Sequence, residues 1–490
     1  MNKETRKKSL SVNAFLNGFR SVLNLLFPLI TFPYVSRILS VSGMGIYNFS
    51  TTYVNYFVLI AGLGIYTYAV REGAKYRDNR LIFSKFASQI FTINVISTIV
   101  AYVLLFLSLM IFKNLSNYIS CIIIFSLQLI FSAIGTEWVY TIYEEYSYIT
   151  IRNIAFKILS IILLFILVKK PEDYLWYATI TVFANVGSNV LNFIHAKSFC
   201  SIKLVKRTHW HKHLKPILII FASSIAVTIY VSADTTLLGL LKDDSAVGIY
   251  SVSVKIYQMA QGLLSSLLMV TIPRLAMLLG KKRMTEYHDV LSKVIGALGL
   301  LVFPTSVGLI MLSKEAVLII AGERYLDSVN SLRIITWAII FSIFSWIFSD
   351  CVLIPAKREN MVLRNTIITA VVNVLLNLLL IPYMSYDGTS LSTVVAEFMV
   401  MVMNGWSSKD IICNTIFSKK NIISITTSIL GCIGIVITCL VVKVLITSLI
   451  VRTLISIIGS IIIYGVILVL LKNQICLSYL NKIKNKFKDE

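Results

Sequence analysis

Fourteen stretches of this chain stay apolar for long enough to cross a ~30 Å hydrocarbon core as helices. To within a few residues they run over 11–36, 46–70, 86–112, 117–141, 153–168, 174–194, 216–240, 247–271, 290–312, 332–354, 361–382, 388–405, 421–442 and 449–471. No intervening piece is large enough for a separate soluble domain. At membrane depth the backbone has no water to bond, so a spanning segment must be a helix or part of a closed barrel. The alternation of a barrel strand is missing. The pattern predicts an all-α polytopic membrane protein.

The polar positions between the spans set its orientation. The N-terminus, the C-terminus and the connections at 71–85, 142–152, 195–215, 274–293, 355–364 and 406–420 carry 32 Lys and Arg. The opposite set carries 10, among them Arg37, Lys113, Lys242, Arg324, Arg333, Lys443 and Arg452. Cytoplasmic loops hold the excess of Lys and Arg, so both termini are expected in the cytoplasm. The basic start, MNKETRKKSL, leads into the first apolar run without a small-residue cleavage site. It reads as the approach to a spanning helix and not as a removed signal peptide.

Composition agrees. Of 490 residues 57% are hydrophobic and 14% charged, with mean hydropathy +0.82. A soluble domain has about 25% charged residues. The net charge of +22 would suggest nucleic acid in a soluble protein. Here it lies in short loops, so no nucleic-acid partner is expected. The seven cysteines are scattered without metal spacing and read as packing residues. His209, His211 and His213 alternate in the longest basic connection, 195–215, with no carboxylate or cysteine close by. That favours a solvated, headgroup-facing loop over a metal site.

The chain also echoes itself. The stretch 45–71 begins Gly45-Ile46-Tyr47 and ends at Arg71. The stretch 248–274 begins Gly248-Ile249-Tyr250 and ends at Arg274, a constant offset of 203 residues. Arg152-Asn153 opens span five and Arg364-Asn365 opens span eleven. Spans one to six would then match seven to twelve. An even number of spans per copy predicts a pseudo-two-fold axis along the membrane normal, as in transporters built from parallel repeats. The expected layout is an N-lobe at 1–195, a basic cytoplasmic linker at 196–215, a C-lobe at 216–406, and two further spans with a basic tail at 407–490.

Ionisable groups inside spans are the informative residues, because each costs about 2.5–3.5 kcal/mol at mid-bilayer and must face a cavity or a partner. They are Arg20, Glu137, Lys157, Asp234, Lys255, Asp350 and Glu397. Arg20 has no acidic residue within two turns. It shares a face with Asn17 and Asn24 and reads as cavity-facing, its fork suited to phosphate. Asp234 and Lys255 lie at similar depth on adjacent antiparallel spans. They are either a structural ion pair or contacts for substrate or a coupling ion. Glu137 and Asp350 fall at almost matching repeat positions, as gating or proton-coupling groups or in a structural role with neighbouring loop arginines; Arg71 and Arg274, which end the echoed stretches, join the coupling or gating candidates. Glu397 could be a cation or proton site. Asn55 and Gln258 extend the polar lining. Tyr47, Tyr53, Tyr56, Tyr250 and Tyr257 could stack on sugar rings or serve as ordinary interface residues. No GxxxxGK[ST] is present, which removes ATP binding by that route.

The segments PYVSRIL (33–39), GMGIYNF (43–49), AGLGI (61–65) and YAVRE (68–72) resemble the first spans of bacterial polysaccharide-unit flippases. These are the O-antigen and capsule exporters of the multidrug/oligosaccharidyl-lipid/polysaccharide (MOP) superfamily. SADTTLLGLLKDDSAVGIYSVSVKIYQ (232–258) and Ile272-Pro273-Arg274 resemble the seventh and eighth spans of that family. The resemblance implies two six-helix lobes around a cavity that opens alternately to each side, plus two C-terminal helices. It implies an undecaprenyl-pyrophosphate-linked oligosaccharide as cargo and no enzymatic activity. It places cationic residues in the cavity, with Arg20, Lys255 and Arg37 as the candidates here. Such a protein would be a monomer in the bacterial inner membrane, working beside a polymerase and other polysaccharide-assembly proteins. No cofactor is expected, and Na⁺ or H⁺ coupling could use Asp234 or Glu397. The competing readings are a peptidoglycan lipid-precursor flippase, a cation-coupled drug antiporter or a membrane polysaccharide polymerase.

Overall fold

The computed structural model describes residues 27–206, 208–416 and 418–478, which contain no strand. The elements are α1 (27–38), α2 (Val41–Gly62), α3 (Ile65–Gly73), α4 (Arg80–Ile111), α5 (Ile119–Gly135), α6 (Glu137–Ile142), α7 (Tyr146–Leu167), α8 (Tyr174–Val186), α9 (Asn189–Ala196), α10 (Trp210–Leu241), α11 (Asp244–Gly280), α12 (Met284–Met311), α13 (Ser313–Ile320), α14 (Ser328–Ile335), α15 (Trp337–Trp346), α16 (Glu359–Ser407), α17 (Lys409–Ile416), α18 (Lys419–Leu445) and α19 (Leu449–Leu470).

Eleven helices among the described residues are long and apolar enough to cross a membrane. One of them, α16, is two spans: Ser385 has φ 50° and breaks it after Pro382. The sixth span is interrupted at Gly187-Ser188 into α8 and α9. The helix at 27–38 is the described end of the first. Each of the fourteen apolar runs therefore has a helical counterpart, and the protein is an all-α, multi-pass membrane protein.

The helix ends follow capping chemistry. Ser40 accepts from the Gly43 N–H ahead of α2, and Asn79 accepts from Leu81 and Ile82 ahead of α4. Large apolar side chains remain outside, as along α19, where Ile450, Leu454, Ile458, Ile461 and Ile462 are exposed. In a protein dissolved in lipid that surface needs no aqueous partner.

The chain divides into two compact units, the first ending at Gly248 and the second beginning at Ile249. Helix α10 is thus packed into the first unit, where the Tyr56 and Thr236 hydroxyls meet at 3.1 Å. In the core of that unit Tyr68, Phe83, Phe86, Trp138 and Tyr140 draw α3, α4 and α6 together.

The two Gly-Ile-Tyr sequences have a steric cause. A Cβ on Gly45 would lie 1.8 Å from the Asp244 carbonyl oxygen, and one on Gly248 would lie 2.1 Å from that of Val41. The contact is reciprocal: each glycine meets the carbonyl four residues ahead of the other. Only glycine lets the starts of α2 and α11 approach this closely.

The basic connection departs from a solvated loop. Residues 201–205 run extended along α4, their Ser201, Lys203 and Val205 N–H groups donating to the hydroxyls of Ser84, Ser88 and Thr92 at 3.0–3.1 Å. Two extended residues advance about 6.6 Å and four helical residues about 6.0 Å, so alternate N–H groups stay in step with every fourth side chain. His213 is buried on α10, its ring nitrogens 2.8 Å from the Tyr68 hydroxyl and 3.1 Å from Gln89 Oε1. It is a structural bridge between α10, α3 and α4, while His209 and His211 are exposed.

Candidate functional site: a polar cavity at broken helices

Three spans of the first unit are interrupted, and their interruptions meet at one cavity. Between α2 and α3, Leu63 and Gly64 are both left-handed, with φ 46° and 71°. Between α5 and α6, Thr136 has φ 41°. The third interruption is Gly187-Ser188. Gly62, Gly135 and Val186, each next to a break, line a cavity of about 290 Å³. Irregular backbone at membrane depth is tolerated where it lines such a space.

The freed carbonyls are satisfied by side chains. Ala61, in the last turn of α2, accepts from Asn94 Nδ2 at 2.9 Å and Ser97 Oγ at 2.6 Å. Phe131 accepts from Asn189 Nδ2 at 3.0 Å, and Asn192 donates to Asn189 Oδ1 at 3.3 Å. The same cavity is lined by Glu137, in the first turn of α6, and by Arg152, Asn153 and Asn185. Arg152 is buried, donates to Asn153 Oδ1 at 3.1 Å, and has its guanidinium 5.8 Å from the Tyr148 ring centre. The polar part of the lining is therefore one carboxylate, one guanidinium and several amides, set among apolar residues such as Val58, Ile65 and Leu129. Its volume lies at the lower limit of small-molecule sites, about 300 Å³, which is small for an oligosaccharide.

The second unit repeats part of this chemistry. Arg364 Nη2 donates to Asn365 Oδ1 at 3.3 Å, and Asn365 donates on to Asn404 at 2.9 Å. Asp350, the counterpart of Glu137, lies on the π-helical turn Ile347–Leu353 and accepts from Ser349 Oγ at 2.9 Å. Glu137 thus starts a helix just after a break, and Asp350 stands on a π turn. Such π turns recur at functional positions.

The other sequence candidates are dispersed. Arg20, Asn17 and Asn24 lie outside the described residues. Arg37, Asn55, Gln258 and Arg274 are exposed. Arg71 is exposed, with Nε 3.5 Å from Glu72 and its guanidinium 6.0 Å from the Tyr68 ring centre. Asp234 is buried on α10, Lys255 half-buried on α11, and Glu397 buried on α16. Asp234 falls in the first unit and Lys255 in the second.

The tyrosines are engaged in packing rather than presented as stacking platforms. Tyr47 stacks on Tyr177 at 4.2 Å and bonds Thr181, Tyr53 donates to Ser108, and Tyr257 accepts from Gln261. Tyr250 is 2% exposed. The pattern missed Asn94 and Asn189. Their signal was polar amides in apolar spans at the level of Gly62, Gly135 and Gly187.

The fold is shared with solved transport proteins. The fold matches "Lipid II flippase MurJ, inward closed conformation" with TM-score 0.74 at 14% identity, over 93% of this chain and 98% of that one. It matches an outward-facing multidrug resistance MATE family transporter of the MOP superfamily with TM-score 0.54 at 13% identity, over 84% and 96%. The model of the polysaccharide biosynthesis protein family matches residues 11–279, and that of the MatE family residues 220–379. The chain belongs to the polysaccharide biosynthesis protein family. Two curated relatives carry the name "Putative O-antigen transporter". The one from Shigella dysenteriae is 27% identical over 77% of this chain and 95% of its own. The one from Escherichia coli (strain K12) is 24% identical over 68% and 80%. These relatives and fold neighbours are named as transporters or flippases.

Proposed function

We propose that the chain moves an undecaprenyl-pyrophosphate-linked oligosaccharide repeat unit from the cytoplasmic to the outer leaflet of the bacterial inner membrane by alternating access. It would serve O-antigen, capsule or exopolysaccharide assembly, with both termini cytoplasmic. The observation that carries this reading is the family match over 11–279, supported by relatives named for O-antigen transport. Likeness to the lipid II flippase bears on fold alone at 14% identity.

Physics suits such cargo. Its head group is too polar to cross lipid unaided. An inside-negative potential favours outward movement of an anion by about 2.3 kcal/mol per charge per 100 mV. In this reading Arg20, Lys255 and Arg37 attract the pyrophosphate, while Asn17, Asn24, Asn55 and Gln258 contact sugar hydroxyls. Glu137, Asp350, Glu397, Arg71 and Arg274 act in gating or coupling. The small cavity around Glu137 suits gating better than cargo binding. Asp234 or Glu397 would take Na⁺ or H⁺ if transport is ion-coupled. Monomeric action beside a polymerase completes the proposal.

Deleting the gene and resolving lipid-linked oligosaccharide by leaflet tests it. Accumulation of complete repeat units on the cytoplasmic face supports the proposal. Unpolymerised units on the outer face would identify a polymerase instead.

A further inference from the structure

The second unit carries a charged cavity at the ends of its last helices. It has a volume of about 240 Å³ and is lined by Glu315 of α13, Arg333 of α14, Lys443 of α18 and Arg452 of α19. One carboxylate thus faces three cations contributed by three helices. Glu315 is 2% exposed and pairs with Arg452 Nη2 at 3.0 Å. Its second oxygen, Oε2, is buried without a hydrogen-bond partner among the described residues, as is Arg452 Nε. Arg333 Nε donates to Ser313 Oγ at 2.8 Å, and the carboxylate is left to balance only part of the charge. Cations gathered around a partly enclosed space repel one another unless an anion joins them.

The position along the helices says what kind of anion. Met311 ends α12, Ser313 begins α13, Leu445 ends α18 and Leu449 begins α19. Lys443 and Arg452 stand within a turn of those ends. The cavity therefore lies where apolar spans give way to loops, which is the level of lipid phosphates. It adjoins an apolar groove of about 680 Å³ between α12 and α19, lined by Leu301, Pro304, Ile457 and Ile461, and shares Leu312 with it. A phosphate arriving on a lipid has its chain beside that groove, whereas free phosphate would leave the groove unused.

We propose that this cavity binds the phosphate group of an anionic membrane lipid through Arg333, Lys443 and Arg452, with Glu315 competing with the phosphate for the Arg452 guanidinium. The proposal is independent of the cargo reading, since a lipid held here would anchor α18 and α19 against α12 and α13 whatever is transported.

The test is native mass spectrometry of the purified full-length chain offered phosphatidylglycerol and phosphatidylethanolamine in equal amounts. The wild type is expected to retain phosphatidylglycerol preferentially. Arg333→Gln combined with Lys443→Gln, both exposed positions that leave the fold intact, should reduce that retention roughly tenfold and leave phosphatidylethanolamine unchanged. Equal retention by variant and wild type overturns the proposal. So does stabilisation by inorganic phosphate with no lipid preference, which would mark a site for the free anion. Glu315→Gln gives a test of opposite sign. It leaves the half-buried Arg452 without its carboxylate, so added phosphatidylglycerol should raise Tm by more than it does in the wild type. An equal or smaller rise contradicts the role given to Glu315.

Discussion

Arg358 and Asp410 show what a single residue pair does at the ends of the spans. The guanidinium grips the carboxylate through two hydrogen bonds of 2.7 and 2.6 Å, tying the turn before α16 to the start of α17. The Arg358 bonds hold the Asp410 carboxyl below the usual carboxylate range. A depressed pKa contributes stability above the unfolded value, about 3.9 for Asp, and loses it as pH falls through the folded value. Both side chains are partly exposed, so the contribution is about 0.5–1 kcal/mol. Asp410→Asn should therefore lower Tm slightly at pH 7 and by less at pH 3. An equal drop at both pH values would show that the pair adds nothing through its charge. Inside the first unit, Asn94 and Ser97 share the Ala61 carbonyl. Asn94→Ala alone should cost about 0.5–1 kcal/mol, and with Ser97→Ala about 1–3 kcal/mol, because only the double variant leaves a buried acceptor bare. Thermal unfolding in detergent checks this, and simple additivity would contradict the shared role.

At the scale of elements, apolar periodicity located every span but not its interior. Length and hydropathy placed the C-terminal ends of α4, α7 and α12 and both ends of α19 within a residue, but started α4, α7 and α12 six or seven residues late. The interruptions were less legible. Gly64 and Gly187 are breaks that glycine announces, while Thr136 sits left-handed with a β-branched side chain that no propensity rule would put there. The π turn at Ile347–Leu353 had no signal in the apolar pattern. The docked 201–205 segment was readable in principle as Ser84, Ser88 and Thr92 at helical spacing, but the basic residues around it favoured a solvated loop. The Gly-Ile-Tyr echo was visible as sequence, and its cause, the reciprocal approach of α2 and α11, needed coordinates. Gly45→Ala or Gly248→Ala should each lower Tm by several degrees, as expected of a mutation costing about 1–3 kcal/mol through overpacking. The double variant should lose less than the sum, because the first Cβ already spreads the crossing. Unchanged Tm in both single variants would contradict the steric explanation of the repeat.

At the scale of the whole molecule, the chain is a multi-pass membrane protein of the polysaccharide biosynthesis protein family, and its cargo is proposed from that membership. The candidate cation nearest mid-span in the first copy, Arg20, was legible because a charge stands out in an apolar helix. It lies outside the described residues, so its role is tested by function. Arg20→Ala should leave protein in the membrane and lower export, and normal export would remove it from the site.

The most direct measurement reconstitutes the purified protein in liposomes that carry undecaprenyl-pyrophosphate-linked oligosaccharide on one leaflet. A membrane-impermeant glycosidase then follows how much of that oligosaccharide becomes accessible on the other. The account predicts protein-dependent transfer of the intact lipid-linked repeat unit, accelerated by a membrane potential positive on the receiving side. Transfer no faster than in protein-free liposomes, with the protein folded and inserted, would contradict it.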